Sequence, residues 1–331
     1  MTQSGHSLSS QKLNLKYYVF SSGLCDTSWN HLLRAVVPAV MMLPWCTWRK
    51  ILVRMTYLNC FWQGPRLDDL QQISLLSMLR QNYKVRLFCY DPILNVPAGI
   101  ELSDAREIMP NQELRIHRGT GSPALGTNKF RYLIMKMGLG VWLDTDVLLI
   151  KPLPQDDGYI FGWQDGSLIC GAVLCLPQNS SIVDDLCDFV AQDYPIPPFY
   201  DEATRLALEQ KSKSGHPQSV EELPWGVHGP NALTYFIRKS GLLHFSRPRE
   251  VFYPIHYSEA HVLLSSKDEV KKSMTPRTVA IHLWNAALRV FQEKNQNGQL
   301  ILEKGSFLEK FAREQLDYRF PNSVVRSTSR I

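Results

Sequence analysis

The 331-residue chain has no Cys-x-x-Cys pair, no Lys/Arg-rich block, no internal repeat and no apolar run of bilayer length. Each absence excludes something. Its seven cysteines (Cys25, Cys46, Cys60, Cys89, Cys170, Cys175 and Cys187) are odd in number and scattered. That argues against a disulfide framework and for free thiols in a reducing, cytoplasmic compartment. The most apolar segment, Ala35 to Trp48, is broken by Pro38 and Pro44 and falls short of the roughly 20 residues a spanning helix needs. It also begins too far into the chain for a standard signal peptide. It reads as a packed N-terminal helix or an irregular extension, with peripheral contact at the inner membrane face as the other reading. The net charge of +5 is mildly basic and suits an acidic ligand, but with no basic block or recognition motif it gives no case for nucleic acid.

What is present is ordinary globular material, 44% hydrophobic and 20% charged, enough for one large domain with extensions. Residues 1–15 are rich in Ser, Gln and Gly and read as disordered, and 16–55 show no clean period. We therefore expect an N-terminal extension over 1–55, an α/β domain over 56–316 and a loose tail over 317–331. Organised alternation starts with the strand Tyr57 to Trp62, followed by a helix over about 68–81 and a second strand from Val85 to Tyr90. Strand, helix, strand in so short a span is a parallel α/β unit, in which ligands sit beyond the carboxyl ends of the strands. Residues 93–125 read as loop with a short strand or helix. Two strand-like runs, Tyr159 to Trp163 and Ile169 to Leu176, are joined by the turn residues Gln164-Asp165-Gly166. Helices are expected over about 182–192, 232–239 and 307–316, a strand over 278–281, and a loop or loosely ended helix within 193–224.

The chemistry concentrates between Gly126 and Pro152. Phe130, Leu133, Ile134 and Met137 mark one face of a helix, with Lys129, Arg131 and Lys136 off that stripe. Gly138 and Gly140 end it. The apolar run Val141-Trp142-Leu143 then stops at Asp144-Thr145-Asp146 and resumes as Val147-Leu148-Leu149-Ile150. Carboxylates inside an apolar run need a cationic partner. If the segment is extended, both acids point to one side and can face one divalent cation, Mg²⁺ or Mn²⁺. A lone Asp-x-Asp is weak, more often a turn or surface pair, and the apolar flanks are what favour a metal. His282, ending a distant apolar strand, is a candidate third ligand or a structural histidine. Arg131 is either a sugar contact or half of a helix-surface ion pair. Trp62 and Tyr90 are stacking platforms or core aromatics. Asp165 contacts an acceptor or simply forms a turn, and Gly229-Pro230-Asn231 is a site element or only a helix start.

Taken together, Phe130-Arg131-Tyr132-Leu133, the Gly-x-Gly break, Val141 to Val147 and Lys151-Pro152-Leu153 resemble the DXD glycosyltransferases. More narrowly they resemble the group of α-1,4-glycosyltransferases and capsular or lipopolysaccharide sugar transferases. Phe61-Trp62-x-Gly64, Gly229-Pro230, the run Phe252 to His256, and Ala280-x-His282-Leu283-Trp284-Asn285 follow in the family's order, so the resemblance spans about 56–292. It implies a GT-A fold, a Rossmann-like mixed sheet flanked by helices, and transfer of a hexose from a nucleotide-diphosphate sugar, UDP-linked, to a glycan or glycolipid acceptor in polysaccharide biosynthesis. It also implies retention of anomeric configuration. By position, Asp144 and Asp146 with His282 would hold the metal, with Asp144 also near the ribose. Asn128 and Arg131 would hold the donor sugar, Trp62 and Gln63 would lie near the nucleotide, and Trp284 and Asn285 near the diphosphate. Asp165 would touch donor or acceptor. Two departures stand out: Gly138-Leu139-Gly140 replaces an adjacent glycine pair, and Asn128 stands where many relatives have Asp. A metal-dependent hydrolase or nucleotidyltransferase, and a sugar-nucleotide-binding protein without turnover, are the rival readings of the same acids.

Overall fold

The computed structural model describes residues 57–154, 158–295 and 300–327. The expected extension over 1–55, with its apolar segment, lies outside the described residues. The chain opens with strand β1 (Tyr57–Phe61), helix α1 (Asp69–Arg80), β2 (Lys84–Cys89) and β3 (Ile100–Asp104). β1 and β2 pair in parallel, Tyr57 opposite Lys84 through Phe61 opposite Phe88, as the strand–helix–strand pattern requires. β3 adds to β2, also in parallel, and supplies the short strand of the 93–125 segment.

Helix α2 (Ala124–Lys136) follows, then β4 (Val141–Leu143), β5 (Val147–Leu149), β6 (Ile160–Trp163) and β7 (Ile169–Cys175). The remaining elements are α3 (Ser181–Val190), α4 (Glu202–Lys213), α5 (Ala232–Lys239), α6 (Arg249–Phe252), α7 (Glu269–Ser273), β8 (Ala280–His282), α8 (Asn285–Asn295), β9 (Ile301–Glu303), α9 (Phe307–Leu316) and β10 (Val324–Arg326). Helix α4 settles the Pro-rich and charged stretch: Asp201 caps it by accepting from Thr204 N, and most of its residues are exposed.

Six strands form one mixed sheet in the order β3-β2-β1-β4-β7-β6, with β7 antiparallel to both of its neighbours. This is the mixed α/β architecture expected from the sequence. Both sheet faces are covered, which is why the strands read as nearly continuous apolar runs. Phe61, Phe88, Trp142 and Leu174 face one core, shared with Phe130, Tyr132 and Ile134 of α2. Leu58, Cys60, Leu87, Leu143 and Val173 face the other. The carboxyl ends of β1 and β4, paired in parallel, place Trp62 and Asp144 at the same sheet edge.

The turn from α2 into β4 depends on glycine. Gly138 and Gly140 have φ of +65° and +117°, and a Cβ on Gly140 would come within 2.5 Å of the Tyr57 carbonyl oxygen. The spaced pair therefore serves this turn as it stands: one glycine ends the helix and the other lets the chain meet β1.

Two expectations along α2 need correction. Met137 is 45% exposed, and the buried residues include Asn128, Arg131, Tyr132 and Met135 as well as Phe130 and Ile134. The helix is covered on more than one side, because α3 and residues 227–231 pack on it opposite the sheet. Arg131 thus lies inside the protein, not on a polar surface.

Candidate active site

β4 ends at Leu143, and Asp144-Thr145-Asp146 forms a turn closed by Val147 N donating to Asp144 O at 3.1 Å. The acids are therefore not in an extended strand, as expected from their spacing. The physical reason is that the chain leaves the six-stranded sheet here and enters a separate antiparallel pair, β5 with β8. In that pair Val147 is opposite His282, and this register carries His282 next to Asp146 across 136 residues of sequence.

The convergence is close. One ligand-capable atom from each of Asp144, Asp146 and His282 lies within 4.8 Å of the others. His282 Nε2 is 3.2 Å from Asp146 Oδ1, Asn285 N donates to Asp146 Oδ2 at 2.9 Å, and Leu283 N donates to the Asp146 carbonyl at 2.8 Å. Asp144 Oδ1 accepts from Arg131 Nη2 at 2.7 Å and from Trp142 Nε1 at 2.6 Å. Arg131 Nη1 donates in turn to Asn128 Oδ1.

Burial works against every charge in this group, and pairing overrides it. Burial pulls the His282 imidazolium down, but the Asp146 carboxylate more than compensates and holds it above the usual histidine range. Burial likewise raises Asp146, while His282 and the Asn285 amide bring its carboxyl below the ordinary value. Arg131 is stabilised as a cation by Asp144 in spite of its own burial. Each acid thus has a protein cation, so the burial cost of the acids does not by itself call for a metal. Their convergence with His282 is what makes the cluster a candidate cation site. Asp144 and Asp146 side chains are 25% and 16% exposed, which leaves the cluster open to solvent on one side. Asp144 Oδ2 accepts no hydrogen bond among the described residues. Two carboxylates with one imidazole form a donor set that Mg²⁺ or Mn²⁺ accepts once His282 gives up its proton, so the residues fit a divalent cation that displaces it.

The other expected residues divide into near and far. Trp284 packs its ring 3.9 Å from the His282 ring, and its indole donates to the Ile255 carbonyl at 2.8 Å. Those contacts hold it at φ +53°, a left-handed conformation costly for a bulky residue. Asn285 starts α8 against Asp146. Gly229 abuts Asn128, since a Cβ there would meet the Asn128 amide nitrogen at 3.0 Å, and Pro230 lines a small cavity with Asn128 and His228. Trp62 is half-buried, its indole donating to Arg66 O, and Gln63 is exposed beside it. Tyr90 is a core residue, 4% exposed with its hydroxyl on the Met109 carbonyl. Asp165 belongs to a separate cleft with Trp163, Gly166, Arg249 and His256.

Two residues were not singled out from sequence. Trp142 holds Asp144, and its position two residues upstream in an apolar strand was the available signal. Tyr253 is fully buried and receives Val173 N at 3.1 Å, with its ring 6.0 Å from that of His282. It lies in the aromatic run Phe252 to His256, which marked it only as part of a motif.

The fold and this cluster define a mixed α/β protein with an Asp-x-Asp/His candidate metal centre. Residues 221–315 match the family described as the alpha 1,4-glycosyltransferase conserved region, so the resemblance seen in the sequence holds and supports glycosyl transfer. That region contains Gly229, Pro230, His282, Trp284 and Asn285 and stops short of the two acids. Several solved structures are similar, among them two glycosyltransferases. One is the PaToxG glycosyltransferase (13% identity, TM-score 0.35, covering 57% of this chain and 73% of that one). The other is the apo-form glycosyltransferase GlyE of Streptococcus pneumoniae TIGR4 (13% identity, TM-score 0.26, covering 83% and 81%). Both likenesses are loose. No curated protein matches the sequence.

Proposed function

We propose that this protein is a metal-dependent glycosyltransferase that moves a hexose from a nucleotide-diphosphate sugar, UDP-linked, to a glycan or lipid-linked acceptor with retention of configuration. The observation that carries the reading is the convergence of Asp144, Asp146 and His282 within one cluster. The family match over residues 221–315 adds the reaction class.

In this reading Asp144, Asp146 and His282 would hold Mn²⁺ or Mg²⁺. Such an ion supplies Lewis-acid neutralisation of a departing diphosphate. The protein's own groups do the positioning. Arg131 and Trp142 fix the Asp144 carboxylate, and the Asn285 amide fixes Asp146. Asn128, held by Arg131 and backed by the Gly229-Pro230 turn, would face the donor sugar. Trp62 and Gln63 at the end of β1 would border the nucleotide, and Trp284 with Asn285 the diphosphate. The site lies at the carboxyl edge of the parallel strands, where α/β sheets bind ligands. A domain start at 56 and a cytoplasmic setting belong to the same proposal, whereas the tail expected to be loose from 317 is held in place, β10 pairing with β9 and Tyr318 bonding Asp69. No helix among the described residues is long and apolar enough to cross a membrane.

Product analysis tests it. The full chain is incubated with Mn²⁺, UDP- and GDP-sugars and an acceptor panel. Nucleoside diphosphate together with a new glycosidic bond supports transfer. Pyrophosphate release, free sugar alone, or donor binding without turnover would each replace it with another reading.

A further inference from the structure

An open cleft of about 530 Å³ is lined by Trp163, Asp165, Gly166, Arg249 and His256. Its chemistry is set by which polar groups are already committed. Asp165 forms its own turn: Oδ1 accepts from Ser167 N, Ser167 Oγ and Leu168 N at 2.7, 2.8 and 2.9 Å, and Oδ2 from Gln164 Nε2 at 3.2 Å. Its charge is thus largely met by the loop between β6 and β7, with lone-pair capacity left mainly on Oδ2. His256 Nδ1 is taken by Ser258, which leaves Nε2 without a partner among the described residues. The Arg249 guanidinium is exposed and makes no ion pair or side-chain hydrogen bond among the described residues. Trp163 is half-buried, with the Arg238 guanidinium 5.9 Å from its ring centre on one face.

The cleft therefore offers an aromatic surface, one open carboxylate oxygen, and an uncommitted guanidinium beside an imidazole nitrogen. A flat aromatic suits the C–H face of a pyranose, the Asp165 oxygen suits a ring hydroxyl, and the guanidinium fork suits a carboxylate or phosphate. The chain links the cleft to the candidate metal centre at His256. His256 sits between Ile255, whose carbonyl accepts the Trp284 indole, and Tyr257, whose ring centre is 6.0 Å from that of Trp284. Trp284 in turn packs on His282. We infer that this cleft is the acceptor subsite, and that it takes a pyranose bearing an anionic substituent, stacked on Trp163 with its anion on Arg249. This rests on the proposed transferase reading, because only a transferase has an acceptor to place.

The test measures binding to the full chain by saturation-transfer NMR and tryptophan fluorescence. The probes are methyl β-glucopyranoside, its 6-phosphate, and the methyl glycoside of glucuronic acid. The inference expects at least one anionic glycoside to bind about tenfold tighter than the neutral one, a difference of the size a charge-assisted pair supplies. Which of the two does so identifies the anion as phosphate or carboxylate. Arg249→Gln erases the preference and Trp163→Ala weakens all binding, while thermal unfolding curves verify that both variants are folded. Equal affinity for neutral and anionic glycosides, no binding of any of them, or unchanged binding in both variants overturns the inference. UDP titration of the parent chain with Mn²⁺ is read separately: its failure removes the donor reading, whereas the glycoside affinities still judge the cleft.

Discussion

Arg131 Nη2 donates to Asp144 Oδ1 at 2.7 Å, from a side chain only 7% exposed. The helix before the acids thus reaches under the sheet edge and holds one of them from inside the protein. The same guanidinium lies 5.2 Å from the Trp142 ring and bonds Asn128, so one cation orders three groups of the candidate site. Arg131→Met should cost about 3 kcal/mol of stability, because it leaves a partly buried carboxylate unpaired. Arg131→Lys should recover only part of that, since an ammonium cannot fork between Asp144 and Asn128. Urea unfolding of the three proteins measures both; equal midpoints would mean that the pair is incidental.

His228 predicts a pH effect unrelated to the acids. It is 1% exposed, neither ring nitrogen makes a well-formed hydrogen bond, and burial pushes its pKa down to about 4. Unfolded, it returns to about 6.5, so the unfolded chain binds the proton more readily between these values. Its contribution is intact above 6.5 and is lost as pH falls toward 4, with a slope of up to about 1.4 kcal/mol per pH unit. His228→Phe, which keeps a ring against Phe189, should flatten that part of the stability–pH curve. A parallel curve in the variant would assign the slope to other groups.

The C-terminal residues are tied back to the start of α1. Asp69, 2% exposed, accepts from the Tyr318 hydroxyl at 2.6 Å, from Asn322 N and Nδ2 at 3.2 and 3.1 Å, and from Ser323 Oγ. Asp69→Ala should destabilise the protein by about 2 kcal/mol through the orphaned donors. It should also speed proteolysis after residue 316. Cleavage at the parental rate would show that the segment is held by other contacts.

How much of this was legible follows from how local each feature is. Helices α5 and α9 occupy the residues their apolar periods specify, and the glycines at 138 and 140 mark a turn that only positive φ allows. The two acids were visible as an interruption in an apolar run, but their conformation was not, because nothing local says that the chain changes sheets at Asp144. Arg131 looked like a surface residue because a single helical stripe cannot show a second layer covering the other side. His282 could be suspected as a ligand from its place after an apolar strand. Its contact with Asp146 depends on the β5–β8 register, which is not local. The cleft is the extreme case: Trp163, Arg249 and His256 come from segments that share no motif, and only the packing assembles them.

The most direct test of the central claim is nucleoside diphosphate release from a UDP-sugar by the full chain, with Mn²⁺, with chelator, and in Asp146→Asn. Metal-dependent transfer at the Asp144–Asp146–His282 cluster requires release with Mn²⁺, its loss in chelator, and a fall of at least about 100-fold in Asp146→Asn with the fold retained. Release at the parental rate in chelator or in Asp146→Asn would contradict it.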